Sequence, residues 1–528
     1  MRKVNWPFVF WIGLAVIMLL RVFYFGFTYF NYLDDNNTYG IFYRRNADIW
    51  NDIILWYGLY TFRPIAFFSD AFITQWFWPR MELVLLFYTV MSFVTLLLLK
   101  EVFKKSGMSF GVAGLIVCAL VPLNIEAVYW IGASTRFVPG MFFSILSCYV
   151  LVRFLDRDYN RRKLMLFLYF LFNLTATGFY EQIIVFNFVF TLFIIALNFK
   201  KLEYDRAVII AAPFLSLIAI SAYYIAFWNH GTRLADRGVM ISEGYISHFI
   251  GTVGSIGRLL TTHNFNMLQT GFFGFFNIEI NILQLAALAF ALAFALLCGW
   301  RLFSEAPPDN IPVIKILAGV ALAAAPFAPF FILENNFMAF RNVFPSIFGI
   351  AMVIDGVAEI VLRAKIGRII AGSLTAVVCL VFFLASVTEI NNYRLIEIDD
   401  HIIAQNFLNE FSETGFDDQG QIIVLNTRHR FTNTSREGFE NISSSDWAFL
   451  GKLNANSDEF YFALVLPVVN EGGFPKEKLE DEVLLLGMDR YMGIVRLNLS
   501  GRQLYDRFGR PFGRLISYNE RYIFEKFE

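Results

Sequence analysis

Charged residues are scarce in this 528-residue sequence, where Asp, Glu, Lys and Arg together make up only 16% of the chain. A soluble domain carries about 25% of such residues. Cysteine is also rare, and the four cysteines all fall inside apolar runs, so the sequence contains no disulfide framework and no cysteine-based metal motif. The net charge of −1, without a basic tail, gives no support for nucleic-acid binding.

Hydrophobic residues dominate instead, at 57% of the chain, with 62 phenylalanines and a mean hydropathy of +0.54. A helix needs about 20 apolar residues to cross the hydrocarbon core of a bilayer. Runs of that kind predict a polytopic α-helical membrane protein with about eleven transmembrane helices. The predicted spans lie near 7–26, 82–100, 110–128, 137–155, 163–179, 181–199, 206–228, 281–301, 312–332, 342–362 and 367–388.

Lysine and arginine concentrate in every second connection, for example at Lys100–Lys105 and Arg363–Arg368. The positive-inside rule then predicts a cytoplasmic N-terminus, and an odd number of spans puts residues 389–528 outside. The apolar N-terminal run continues through Arg21 without a small-residue cleavage site, which predicts a retained first helix rather than a signal peptide. We expect a multi-pass protein of a bacterial plasma membrane.

Two domains are predicted. Residues 1–388 form the transmembrane domain, which includes a long first outer loop at 27–81. The composition changes sharply after residue 388, where a predicted helix at 394–412 is followed by the strand-like runs QIIVL, FYFALVLPVV, EVLLLGM and MGIVRLNL. Residues 389–528 are therefore predicted to be a small extracytoplasmic α/β domain.

The first outer loop opens with YLDDNNTY, so Asp34 and Asp35 follow the first membrane helix directly. A carboxylate just outside the bilayer is well positioned to take a proton from a hydroxyl group. The alternative is that both acids are simply solvated or cap a helix. Several arginines share this face, and guanidinium groups bind phosphate well, although interfacial arginines often only extend their charged ends to water.

Glu126 and Glu181 are further polar groups at or within the predicted membrane boundary, where a charged residue indicates function by default. Glu181 opens a predicted span, and an acid at a helix N-terminus is also favourable for structural reasons. The five histidines show no metal-ligand spacing, and the sequence has no phosphate-binding glycine loop. We therefore expect no metal, no cofactor and no ATP-driven pump.

Three elements in order carry a resemblance to a known family: YLDDNNTY, then YTFRPIAFFSDAF, then NIEAVYWIGASTRFVPGMFFSILSCYVL. This order resembles the GT-C class of membrane glycosyltransferases. It is most similar to the protein O-mannosyltransferase branch and to related bacterial polyprenyl-phosphate-sugar transferases. The resemblance covers residues 1 to about 200. Two departures are Ile65, where the family usually has leucine, and the stretch GASTR, which displaces Arg136.

The resemblance implies a hexosyltransferase that uses a polyprenyl-monophosphate sugar donor and inverts the sugar carbon. Asp34 or Asp35 would be the base that acts on an acceptor hydroxyl of a cell-surface glycan, lipid or protein. Arg63, Arg136 and Arg341 would hold the donor phosphate. Trp50 and Trp130, with Glu126 and Glu181, are candidates to contact the sugar or the acceptor, although interfacial tryptophans often serve only as a membrane-boundary belt.

Three other functions fit the same topology. The first is a transporter or flippase of a lipid-linked glycan, which should have charged groups deep within several spans and repeat symmetry between halves. The second is a polysaccharide ligase or polymerase, which would use a diphosphate-linked donor. A structural or sensor protein, whose tail binds a partner, is a third alternative.

Overall fold

The computed structural model describes residues 6–44, 63–155, 162–202, 206–227, 244–304, 312–333, 338–414, 421–435, 438–457, 464–469, 483–496, 513–518 and 521–526. The chain divides into two compact units. Unit 1 comprises Met1–Thr28, Trp50–Thr74 and Arg80–Ile390, and unit 2 comprises Tyr29–Ile49, Gln75–Pro79 and Asn391–Glu528. Parts of the predicted outer loop 27–81 therefore occur in both units, and the predicted domain boundary at residue 388 stays a prediction.

Most of the described residues lie in helices. The helices of the first half of the chain are α1 (Trp6–Val22), α2 (Ile41–Arg44), α3 (Pro64–Phe72), α4 (Met81–Lys105), α5 (Val112–Leu120), α6 (Ile125–Val128), α7 (Ile131–Phe154), α8 (Arg162–Thr177), α9 (Glu181–Leu197), α10 (Arg206–Phe227) and α11 (Tyr245–Arg258). They are followed by α12 (Asn264–Phe275), α13 (Ile282–Ser304), α14 (Pro312–Ala324), α15 (Phe344–Val361), α16 (Lys365–Thr414) and α17 (Asp446–Asn456).

Within the described residues, seven helical segments are long and apolar enough to cross a membrane. They are α4, α7 and α10, followed by α13, α14 with the 3₁₀ turns after it, α15 with the 3₁₀ turn before it, and α16. The chain thus has the helices of a helical membrane protein. Three more predicted spans correspond to shorter apolar helices, namely α1, α8 and α9. The count of eleven spans stays a prediction.

The predicted span 110–128 is not one continuous helix. Helix α5 has only nine residues, and a 3₁₀ turn at Pro122–Asn124 separates it from the four-residue α6. Pro122 explains the break, because the residue before a proline is disfavoured in helical conformation, and Val121 has ψ 129°. The segment between the predicted spans 206–228 and 281–301, by contrast, contains helices α11 and α12.

Helices α14 and α15 approach each other closely through glycines. A Cβ atom at Gly349 would lie 2.2 Å from the backbone nitrogen of Ala323 and 2.5 Å from the carbonyl oxygen of Gly319. Membrane helices pack through such small residues because apolar side chains gain little by leaving lipid. Gly349 therefore permits a helix contact that any larger residue would push apart.

Unit 2 contains a four-stranded sheet in the order β2-β1-β3-β4. Its strands are β1 (Gln421–Thr427), β2 (Leu464–Val469), β3 (Val483–Met488) and β4 (Ile494–Arg496), and a separate antiparallel pair is formed by β5 (Gly513–Tyr518) and β6 (Arg521–Lys526). Strand β1 pairs parallel with β2 and β3, whereas β4 pairs antiparallel with β3. Strands β2, β3 and β4 lie within the runs that the sequence predicts as strand-like, and β1 extends two residues beyond the run QIIVL.

The core of unit 2 lies between this sheet and two helical segments. It includes Phe407 of α16, Phe449 of α17 and Leu486 of β3, all nearly inaccessible to solvent. Leu33, from the first outer loop, packs against the same core. A Cβ atom at Gly451 of α17 would lie 2.6 Å from the Cα atom of Asn37, so this glycine allows the outer-loop backbone to contact the helix. Residues near the acid pair are thus an integral part of unit 2.

Candidate functional site

The two acids of YLDDNNTY have different surroundings within unit 2. Asp35 is completely buried, and its Oδ2 accepts hydrogen bonds from the Tyr29 hydroxyl and from the backbone amide of Tyr32, the latter at 3.1 Å. The backbone amide of Asp35 also donates to the Tyr32 carbonyl at 3.0 Å. Asp34 is only partly buried. The buried acid therefore stabilises a turn, and the Asp34 carboxylate is the more accessible of the two.

Aromatic residues hold this turn in unit 2. The Tyr32 ring makes edge contacts with Tyr393 and Phe439, at centroid distances of 5.3 and 5.9 Å. The Tyr32 hydroxyl accepts a hydrogen bond from the backbone amide of Glu440 at 3.2 Å. Leu33 has a φ of +32°, which is uncommon for a side chain of this type. Such strain is maintained only where the surrounding packing is strong.

Arg63 lies in unit 1, just before α3, where Pro64 provides the fixed φ that suits a first helical position. Its guanidinium stacks 3.9 Å from the ring centre of Tyr180. It also donates to both carboxylate oxygens of Glu181, at 3.3 to 3.4 Å. Glu181 opens α9, where the helix dipole also favours a negative charge. Arg63 and Glu181, predicted to have separate roles, form one ion pair.

The backbone around Arg63 is fixed by a close contact. The amide of Ile65 donates to the carbonyl of Gly178 at 3.0 Å. A Cβ atom at position 178 would lie 2.5 Å from Cγ1 of Ile65, so only glycine allows the two segments to approach this closely. The break TGFYEQ between two apolar runs is therefore a packed corner that orients Tyr180 and Glu181 towards Arg63.

Arg136 occupies the first half of α7 and pairs with Asp70 of α3. Both side chains are more than 90% buried, and the closest N–O distance is 3.4 Å. Charge-assisted hydrogen bonds usually have lengths of about 2.7–2.9 Å. The Arg136–Asp70 and Arg63–Glu181 pairs are thus both looser than the usual optimum.

Arg341 pairs with Glu126 of α6, and its guanidinium lies 4.9 Å from the ring centre of Trp130. The next residue, Asn342, donates from Nδ2 to the Tyr180 hydroxyl at 3.5 Å. Glu126 and Trp130, predicted as sugar or acceptor contacts, are therefore both beside Arg341. Trp50 lies outside the described residues.

Tyr180 contacts one of the three predicted arginines directly and the residues that follow the other two. Its ring lies under Arg63, its hydroxyl contacts the neighbour of Arg341, and Phe137, the neighbour of Arg136, packs 4.3 Å from it. We call Tyr180, these arginines and their carboxylate partners the arginine cluster. The reasoning from sequence missed Tyr180 and Asp70. Both signals were present, because Asp70 belongs to the quoted YTFRPIAFFSDAF element and Tyr180 to the break before Glu181.

The arginine cluster combines three guanidinium groups with three carboxylates, so its formal charge is balanced. An anion that enters it gains planar, bidentate donors, and at Arg63 and Arg136 it displaces carboxylates held at long distances. Aromatic rings beside the guanidinium groups provide flat apolar surfaces. Within the described residues, no group of three or more His, Cys, Asp or Glu side chains is arranged to hold a metal ion.

In comparisons with known proteins, no family model matches this chain. No curated protein sequence matches it either.

Proposed function

We propose that this protein is a membrane glycosyltransferase that transfers a sugar from a polyprenyl-monophosphate donor to a hydroxyl group of a cell-surface glycan, lipid or protein. The observation that supports the proposal most strongly is the arginine cluster. Its three arginines are far apart in sequence, yet Arg63 stacks on Tyr180, and the residues that follow Arg136 and Arg341 in the chain both contact the same tyrosine. A phosphate at the boundary of a membrane is the ligand that such a group of arginines suits best.

The leaving group sets the requirement for positive charge. When the bond between the sugar carbon and the phosphate oxygen breaks, its electron pair stays with the polyprenyl phosphate, which gains negative charge. Preorganised cations stabilise that charge as it develops. Arg63 and Arg136 are assigned to this role first, because the N–O distances of their ion pairs, 3.3 and 3.4 Å, are long.

The acceptor requires a base. In the proposed reaction the acceptor oxygen forms a bond to the sugar carbon from the side opposite the phosphate, which inverts that carbon, and its proton goes to a carboxylate. Asp34 is assigned as this base, because Asp35 is completely buried and already accepts two hydrogen bonds. No metal ion takes part in this scheme.

The proposal includes the topology predicted from sequence. We infer about eleven spans, a cytoplasmic N-terminus and an extracytoplasmic C-terminal domain in a bacterial plasma membrane. The donor would then enter from the outer leaflet.

Purified protein in lipid nanodiscs tests the proposal directly. It is incubated with polyprenyl-monophosphate hexoses, with polyprenyl-diphosphate hexoses, and with envelope glycans and lipids as acceptors. We expect release of polyprenyl phosphate, and sugar transfer, from a monophosphate donor alone. The double variant D34N/D35N should be inactive, whereas E101Q, which changes an acid on α4, should keep full activity. Full activity of the double variant would refute the assignment of the base.

A preference for the diphosphate donor would instead indicate a polysaccharide ligase or polymerase. Transport of a lipid-linked glycan is the other alternative, and one observation favours it, because Lys315, Asp355 and Glu359 are charged side chains buried among apolar helices. Movement of a labelled lipid-linked glycan across proteoliposome membranes, without sugar transfer, would support the transporter.

A further inference from the structure

A second polar site lies in unit 1, at the opposite end of α4 from Met81. Lys315 of α14 is 1% exposed, and its ammonium group lies 2.7 Å from Oδ2 of Asp355 and also contacts Oε1 of Glu359. Both acids belong to α15, four residues apart, so they project from the same side of that helix. The Ser109 hydroxyl donates to the same Oε1 atom of Glu359. We call these four residues the ionic cluster.

Asp355 in this cluster is fully satisfied. Besides Lys315, it accepts the backbone amides of Gly111 and Gly114 at the N-terminus of α5, at 2.8 and 3.2 Å. The Lys315 ammonium has three acceptors, namely Asp355, Glu359 and, at 3.4 Å, Ser109. The positive charge of Lys315 thus balances the negative charge of Asp355. The second carboxylate, Glu359, therefore leaves the cluster with a formal excess of one negative charge.

Glu359 has an unmatched oxygen. The side chain is 6% exposed, and among the described residues its buried Oε2 atom has no hydrogen-bond partner. Burying a carboxylate oxygen without a hydrogen-bond partner is energetically costly, because the ion loses its hydration and gains nothing in return. A cationic or hydrogen-donating group that reached this oxygen would offset that cost.

A cavity of about 440 Å³ adjoins Glu359. Its lining combines the acids of the cluster with two lysines of α4, Lys100 and Lys104, and with apolar side chains such as Leu302 and Leu362. The lysines are one helical turn apart near the end of α4, where an apolar span meets a basic connection. The cavity thus offers an acceptor for a cation at Glu359 and cations for an anion at its lysines.

These features limit the classes of ligand that the cavity can bind. A divalent metal ion prefers six or more oxygen ligands, and Glu359 offers a single unmatched oxygen. A simple phosphate would meet Lys100 and Lys104 but would be repelled by the excess negative charge of the cluster. A molecule that carries both a primary ammonium and a phosphate satisfies both ends at once. Its ammonium donates to Glu359, and its phosphate binds the lysines.

We propose that this cavity binds a primary ammonium joined to a phosphate, as in the headgroup of an aminophospholipid or in free phosphoethanolamine. Binding involves no covalent step. The apolar lining, formed by residues such as Met108 and Phe110, suits the glycerol and upper acyl region of a lipid. This site is separate from the arginine cluster and does not depend on the proposed glycosyl transfer.

Thermal unfolding of the delipidated full-length protein in detergent tests the proposal. The probes are short-chain phosphatidylethanolamine, phosphatidylcholine, phosphatidylglycerol, free phosphoethanolamine and sodium chloride. A ligand that binds only the folded state raises the unfolding temperature in a saturable way. We expect this rise with phosphatidylethanolamine or phosphoethanolamine, and their comparison distinguishes the lipid from the free compound. Phosphatidylcholine, which has no ammonium N–H, and phosphatidylglycerol, which has no ammonium, should be without effect.

Variants separate binding from folding. E359Q should fold with an unchanged or raised unfolding temperature, because it removes the excess charge, and should lose the response to the ligand. K104Q should weaken the response, whereas K365Q, at a basic residue outside the cavity lining, should leave it unchanged. Equal responses to all three lipids, a response to sodium chloride alone, or a full response by E359Q would overturn the proposal.

Discussion

Ile65 and Gly178 are in direct backbone contact, and no side chain larger than hydrogen fits at position 178 without moving Ile65. The contact joins the segment that carries Arg63 to the segment that carries Tyr180 and Glu181. Its integrity therefore decides whether the arginine cluster keeps its geometry, and it can be tested without changing any charged residue.

The substitution G178A should reduce sugar transfer strongly while the protein stays folded. The added Cβ would overlap Cγ1 and Cδ1 of Ile65, at 2.5 and 2.8 Å, and so would displace Arg63 from Tyr180. The double variant G178A/I65A removes both overlapping atoms and should recover much of the activity. Steady-state kinetics on donor concentration measure the effect. Equal loss in the single and double variants would contradict this explanation.

The two neighbouring acids should respond differently to the same change. D34N should lower the rate of transfer by about 10²–10⁴-fold, the usual contribution of a general base, with little change in stability. D35N removes the charge from two buried hydrogen bonds and should lower the stability of the protein by about 1–3 kcal/mol. Transfer rates and unfolding midpoints of both single variants measure the contrast. The opposite pattern would transfer the role of base to Asp35.

Arg63 should require its guanidinium shape as well as its charge. R63K keeps the positive charge but loses the planar pair of donors and the stacking on Tyr180. We expect donor affinity to fall by about 10–100-fold, since hydrogen bonds to charged groups contribute about 1.5–3 kcal/mol. Donor titration by fluorescence or calorimetry measures this loss. The control is R80K, because Arg80 pairs with Glu82 at an exposed position.

Tyr180 should act mainly through its ring. Y180F keeps the stacking on Arg63 and the contact with Phe137 but loses the 3.5 Å hydrogen bond from Asn342. A bond of that length is weak, so activity should fall less than about tenfold. Y180A removes the ring, and its activity should fall well below that of Y180F. Parallel rate measurements on the two variants test this, and similar losses would assign the main role to the hydroxyl.

Two glycines in helices offer a matched test of stability. G349A introduces a methyl group against the backbone of α14 and should destabilise the protein by about 1–3 kcal/mol or more. Gly251 in α11 has nothing within 4 Å of the position of its Cβ, so G251A should be neutral or slightly stabilising. Thermal unfolding in detergent compares them. A neutral G349A would show that α14 and α15 separate easily.

Local patterns in the sequence predict much of the secondary structure. The long apolar runs coincide with helices such as α4, α7 and α13, because lipid-facing helices need continuous apolar surface. The strand-like runs of the tail contain β2 to β4 and most of β1. The break in the predicted span 110–128 was also visible at Pro122, although hydropathy averaged over a long window conceals a single proline.

Pairings between residues distant in sequence cannot be predicted from such local patterns. The sequence indicates Arg63 and Glu181 as candidate site residues. They are 118 residues apart, however, and only the tertiary fold brings them into contact. The ionic cluster is not apparent from the sequence, because Lys315, Asp355 and Glu359 are single charges in apolar runs. The spacing of Asp355 and Glu359 was one available signal, but Lys315 lies on another helix, and its approach depends on glycine packing between α14 and α15.

The position of Leu33 in unit 2 also constrains how the chain matures. During synthesis the ribosome releases Tyr32 and Leu33 early, yet the backbone amide that donates to Tyr32 belongs to Glu440, 408 residues later. The core that receives Leu33 also needs Leu486 and Met488. The segment that carries Asp34 and Asp35 can therefore reach its final conformation only after nearly the whole polypeptide has been synthesised. A chain shortened before β3 would keep its membrane helices but would lack part of the core that receives Leu33.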